Sequence, residues 1–163
     1  MKKNIAPFGG ALILIGSFVF LGFVRANDPF INKASEANLA EIQAGKLAEI
    51  KGSASVKSLG KQMVEDHTKA ENELKDLAKQ ENITIAVSPD ETHKQAVADM
   101  AKLSGAAFDS AYMASQLTDH KAAVALFTEE STSGTDAAAK AYAAKYLPKL
   151  KMHLKMFEGH AGM

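Results

Sequence analysis

The sequence predicts an all-α protein, a four-helix bundle with one additional short connecting helix. Alanine, lysine, glutamate and leucine dominate the chain, and the period-two alternation that marks strands is nearly absent. Apolar residues recur instead every three or four positions over long stretches, the spacing of one buried helical face. Between those stretches fall residues that start or stop helices: Gly52-Ser53, Ser88-Pro89-Asp90-Glu91, Ser104-Gly105 and Thr135-Asp136. Amphipathic helices of this kind bury their stripes most simply against one another.

The 163-residue chain has the length of one domain. It opens with MKK, continues through the apolar run Ala11 to Val24, and places Val24 and Ala26 where a signal peptidase reads small or apolar residues. That pattern fits a secretory signal over residues 1–26. The competing reading is a retained membrane anchor, which Pro7, Gly9, Gly10, Gly16 and Gly22 weaken. The expectation is therefore an exported, periplasmic domain of residues 27–163 with no stable membrane span after cleavage. Cleavage takes away Lys2, Lys3 and Arg25, leaving 16 basic residues against 19 acidic ones. So acidic a chain has no basic patch to neutralise phosphates, which argues against nucleic acid as a partner. With no cysteine, disulfides, thiol chemistry and a lipidated N-terminal cysteine are excluded.

The first helix is expected from Pro29 to Lys51, stopped by Gly52 in a left-handed cap. Its run ASEANLAEIQAG is rich in small residues, so a neighbour can approach closely. Ser53 is suited to cap a second helix reaching Glu81, with Val56, Leu59, Met63, His67, Ala70, Leu74 and Leu77 on its buried face. NITIAV is a short apolar run that can lie extended across the bundle end. Ser88 as cap with Pro89 at the first helical position opens the short helix. After a break at Ser104-Gly105, a long helix runs to about Glu130 with the stripe Met113, Leu117, His120, Val124 and Phe127. Thr135 or Asp136 caps the last helix, whose stripe is Tyr142, Tyr146, Leu150, His153 and Phe157, with Pro148 inside it as a source of a kink.

Three of those stripes carry a histidine where a leucine is expected: His67, His120 and His153, each near mid-helix. Three imidazoles meeting in a bundle core suit Zn²⁺, Cu²⁺ or Fe²⁺. Glu41 on the first helix and Asp66 beside His67 are the candidates for a fourth ligand or for a carboxylate that orients an imidazole. The competing reading is a buried hydrogen-bond network that fixes helix register without metal, or a His67 paired with Glu71 one turn away. Di-iron bundles space Glu and His at i and i+3. Here the residues three before the histidines are Val64, Leu117 and Leu150, so a carboxylate-bridged di-iron centre is not expected.

Met152, Met156, His160 and Met163 share one helical spacing and form a soft set suited to Cu(I), though methionines filling the core edge is the simpler reading. His93 reads as solvated. Asp109 and Tyr112 are placed to bond across helices. The sequence contains no glycine-rich phosphate loop and no recognisable nucleophile–base spacing, so no catalytic residue is assigned.

The segments MVEDHTKAENEL, LSGAAFDSAYM and YLPKLKMHL resemble, in order and spacing, a bacterial exported family of ferritin-like helical bundles, the domain of unknown function 4142, whose members are often labelled outer membrane proteins. The resemblance covers about residues 30–157. It implies a ferritin-like bundle, and it singles out Glu41, Asp66, His67, Phe108, Asp109, His120 and His153. It supplies no activity, and the chain has none of the ten-residue alternation of a β-barrel. The expected function is a non-catalytic binding or protective protein with a histidine-based metal site. The alternatives are a structural or stress-related envelope interaction protein and, behind it, a metal-dependent oxidoreductase.

Overall fold

The computed structural model describes residues 29–161, with side chains for residues 29–159. The expected signal segment, Met163 and the side chain of His160 lie outside the described residues. Among the described residues five helices follow one another: α1 (Pro29–Lys51), α2 (Ala54–Glu81), α3 (Glu91–Met100), α4 (Gly105–Ser133) and α5 (Ala137–Ala161). The expected all-α bundle of four long helices and one short one is what the chain forms. Among the described residues, no helix is long and apolar enough to cross a membrane.

Two hairpins make the bundle. α1 packs along α2 and α4 along α5, while contacts between the hairpins are sparser. The start of α1, the end of α2, the end of α4 and the start of α5 meet in one apolar cluster around Phe30, Leu74, Phe127 and Tyr142. The opposite ends meet in a second cluster around Ala48, Met63, Phe108, Tyr112 and Phe157. α2 and α4 therefore run parallel, joined by one long crossover. Within the crossover, Ile83 and Pro89 are buried, and the Ala86 carbonyl accepts from Ser35 Oγ at 3.0 Å. α3 then lies over α1 and α4.

The small residues of α1 have the expected effect. A Cβ on Gly60 would lie 2.7 Å from the Gly45 carbonyl oxygen, and one on Gly45 would lie 2.8 Å from that of Gly60. The two backbones cross here with no room for a side chain.

Several local expectations are corrected. Gly52 does not stop α1 in a left-handed conformation; its lack of a side chain matters because a Cβ would lie 2.5 Å from Val56 Cγ1. The left-handed cap belongs to Asn82 at the end of α2 (φ 54°), while Gly105 takes φ +56° at the break before α4. Ser53 is the N-cap of α2 but makes no side-chain cap bond. Its N–H is taken instead by Asp109 Oδ1 of α4 at 3.1 Å, the cross-helix bond expected of Asp109, whereas the Tyr112 hydroxyl, expected to bond likewise, has no hydrogen-bond partner. α3 is capped by Asp90, whose Oδ1 accepts from His93 N–H at 2.9 Å, rather than by Ser88, and Pro89 precedes the helix. The carboxylate wins because it stands immediately before the first turn, within reach of the His93 N–H. Asp136, not Thr135, caps α5 through the N–H groups of Ala138 and Ala139.

Candidate metal centre

Between the two apolar clusters lies a layer of buried polar side chains: Asn38 and Glu41 from α1, His67 from α2, Gln116 and His120 from α4, and His153 from α5. The α4 stripe runs through Phe108, Tyr112, Gln116, His120 and Phe127, while the expected Met113, Leu117 and Val124 are only partly buried. Apolarity alone misplaced that face, because Gln116 occupies a core position in order to bond Glu41.

The three histidines meet. Their ring centroids are 5.6 Å (His67–His120), 5.6 Å (His67–His153) and 5.3 Å (His120–His153) apart. One nitrogen of each lies within 4.8 Å of the others. Each ring has its other nitrogen tied to a group outside the trio. His67 Nδ1 faces Asn38 Oδ1 at 3.0 Å, His120 Nδ1 the Gln116 carbonyl at 2.9 Å, and His153 Nε2 the Asp66 Oδ2 at 2.9 Å.

Those outer partners fix the tautomers. A backbone carbonyl only accepts, so His120 carries its proton on Nδ1. The Asp66 carboxyl, although burial pushes it up, is held below the usual carboxylate range by hydrogen bonds from His153 and Lys149 and by the Lys149 charge. It therefore accepts from His153 Nε2–H. For His67 the polarity passes through a chain. The Ala70 carbonyl accepts from Tyr142 OH at 3.1 Å, so the Tyr142 oxygen accepts from Asn38 Nδ2 at 3.3 Å, and Asn38 Oδ1 is turned to accept from His67 Nδ1–H. All three protons thus point outward. The inward nitrogens, His67 Nε2, His120 Nε2 and His153 Nδ1, have bare lone pairs and no hydrogen-bond partner.

The surroundings keep the rings neutral. Burial first, and then the neighbouring rings, hold His67 well below the ordinary histidine range. Burial brings His120 down to about 4, reinforced by His153. Burial also lowers His153, with Asp66 offsetting part of the effect. Three neutral imidazoles with converging lone pairs form a donor set for a borderline transition-metal ion. Imidazole–metal bonds of about 2.0–2.1 Å would bring the nitrogens to roughly 3.3–3.6 Å from one another, so an ion held by all three would require the rings to move closer.

The carboxylates divide as follows. Asp66 orients His153 across the α2–α5 seam, not the adjacent His67. Glu41 is fully buried and accepts from Gln116 Nε2; its Oε1 lies 3.6 Å from His120 Nδ1, on the outward side of that ring, away from the converging nitrogens. Burial raises Glu41 to about 8, the Gln116 hydrogen bond offsetting part of the rise. Glu71 does not pair with His67: it bonds Ser35 Oγ at 3.0 Å and lies 3.4 Å from Lys75. Met152 is 46% exposed and Met156 packs at the edge of the second cluster, so these two follow the simpler reading of the tail. Tyr142 was read only as part of the buried α5 stripe, and Asn38 and Gln116, which set or brace the site, escaped the sequence reading. Asn38 was within reach of it, since Ala34, Asn38, Glu41, Ala44 and Ala48 lie at helical spacing on one face.

The family described as Domain of unknown function (DUF4142) matches residues 23–159. The chain belongs to this family. The match spans every residue of the centre, from Asn38 to His153. No curated protein and no solved structure matches the chain.

Proposed function

We propose that this member of the DUF4142 family is an exported bundle protein that binds one transition-metal ion, Zn²⁺, Cu²⁺ or Fe²⁺, through His67, His120 and His153, in a binding or protective role rather than a catalytic one. The observation that carries this reading is the set of three inward nitrogens, buried, unprotonated and without a hydrogen-bond partner. The outward bonds of the rings, to Asn38, the Gln116 carbonyl and Asp66, suit a metal-free network as well, but such a network leaves the three inward nitrogens without a partner. Export rests on the basic, apolar and small-residue pattern of residues 1–26.

The purified protein, dialysed against a mixture of the three metals and then against buffer, is expected to retain one ion per chain. His67→Ala, His120→Ala and His153→Ala should each retain little or none while keeping helical circular dichroism. Wild-type protein that holds no more metal than these variants overturns the reading. Export is checked by fractionating cells and weighing the envelope-fraction protein, which should begin at Asn27.

A further inference from the structure

We infer that a cavity bounded by α1, α3 and α4 is the path by which a metal cation reaches the three imidazoles, and that His93 with Asp119 is its outer docking point. This rests on the metal-binding reading above. The cavity has a volume of about 390 Å³ and is lined by the buried His67, His120 and Glu41 and by the partly exposed Asp90, His93 and Asp119. His67 and His120 form part of its wall, but their unpartnered Nε2 atoms are closed off behind the rings, so an ion arriving here reaches them only as the rings turn. On the α2–α5 side the space beside His153 is only about 10 Å³, enough for a single water, and Lys149 paired with Asp66 at 3.2 Å lies against it.

The partly exposed part of the lining repeats the chemistry of the buried part. His93 is clamped twice by the cap of its own helix: its N–H donates to Asp90 Oδ1 at 2.9 Å and its Nδ1–H to Asp90 Oδ2 at 2.7 Å. That leaves His93 Nε2 facing Asp119 Oδ1 of α4 at 3.7 Å, with the two side chains 28% and 27% exposed. Metal bonds to imidazole and carboxylate are about 2.0–2.2 Å, so a cation that keeps part of its water shell can bridge this pair. Asp90, Asp119 and Glu36 against Lys33 give the cavity lining a negative bias, which favours cations and disfavours anions. The alanines Ala37, Ala122 and Ala123 keep the passage open. His93 is thus more than the solvated residue expected from sequence.

The test is the rate of loading. Cu²⁺ is the probe because it heads the affinity order for nitrogen sites, and with three tyrosines and no tryptophan, tyrosine emission reports its arrival. In stopped-flow mixing at low salt, His93→Ala and Asp119→Asn should each slow bimolecular loading of metal-free protein by about tenfold while the final stoichiometry stays at one. Ala37→Leu, which narrows the passage without touching a charge, should slow it too, and Asp99→Asn, on the exposed face of α3, should not. Loading rates within twofold of wild type in all three passage variants overturn the inference. If His67→Ala abolishes binding while those rates stay unchanged, only the path falls; if wild type takes up no Cu²⁺, the metal centre falls with it.

Discussion

His153 of α5 donates its Nε2–H to the Asp66 carboxylate of α2 at 2.9 Å, so the ring is aimed by a residue from the opposite hairpin. An anionic acceptor both orients an imidazole and makes its other nitrogen a better donor to metal. Asp66→Asn removes the charge and lets an amide N–H compete for the same position. Metal affinity should fall by about 10- to 100-fold, measured by competition with a chromophoric chelator. An unchanged affinity would show that His153 needs no such partner.

Tyr142→Phe tests the chain that sets the His67 tautomer. Loss of the hydroxyl takes one of two acceptors from the Asn38 amide, leaving Glu71 alone to hold the orientation that turns Asn38 Oδ1 to His67 Nδ1. A cost of about 1–2 kcal/mol in urea unfolding is expected, together with weaker metal binding. A stability loss with full affinity would mean that the tautomer does not depend on Tyr142.

Acid should destabilise the metal-free fold through the histidines. His120 titrates at about 4 when folded against 6.5 as a free side chain, so below pH 6.5 the unfolded chain takes up a proton that the buried ring refuses. The stabilisation is complete above pH 6.5 and is lost as pH falls toward 4, on the order of 3 kcal/mol for this ring. His67 and His153 are shifted in the same direction. Urea midpoints at pH 7.5 and pH 5 measure the loss, which should be smaller in His120→Asn.

Glu41 works the other way. Its folded value of about 8 lies above the ordinary 4.5, so its stabilisation is complete below pH 4.5 and disappears as pH rises to 8. At pH 7 the buried carboxyl costs on the order of 3 kcal/mol, and Glu41→Gln, which can still accept from Gln116, should raise stability by an amount that grows from pH 5 to pH 8. A flat difference across that range would show that Glu41 is not held protonated.

Gly60→Ala tests the close crossing of α1 and α2. A Cβ placed 2.7 Å from a backbone oxygen forces the helices apart, and a cost of about 1–3 kcal/mol is expected. The same change at Gly159, which has open space around it, should be neutral or slightly stabilising.

Much of this architecture was legible in the residues. Periodicity located all five helices, with α1 and α2 at their observed ends, because buried stripes repeat at 3.6 residues whatever the tertiary detail. The convergence of His67, His120 and His153 was legible for the same reason: a polar residue on a buried stripe must meet something. What escaped was whatever depends on partners distant in sequence. Asp66 could be seen as a carboxylate near a histidine, but not that its partner would be His153, 87 positions away. Gln116 was passed over because an amide in a buried stripe makes sense only once Glu41 stands opposite it. Gly52 was misread because its need for a missing side chain comes from Val56 and not from its backbone conformation, and at Ser88 the choice lay between two nearby residues with similar cap preferences, Ser88 and Asp90.

The two hairpins pack tightly within themselves and more thinly against each other, and the imidazoles come from both: His67 from the first, His120 and His153 from the second. An ion held by all three would act as a rivet through that seam. Prying α1–α2 from α4–α5 would then require breaking coordinate bonds as well as parting apolar surfaces, so metal loading should slow amide exchange along the seam far more than within either hairpin.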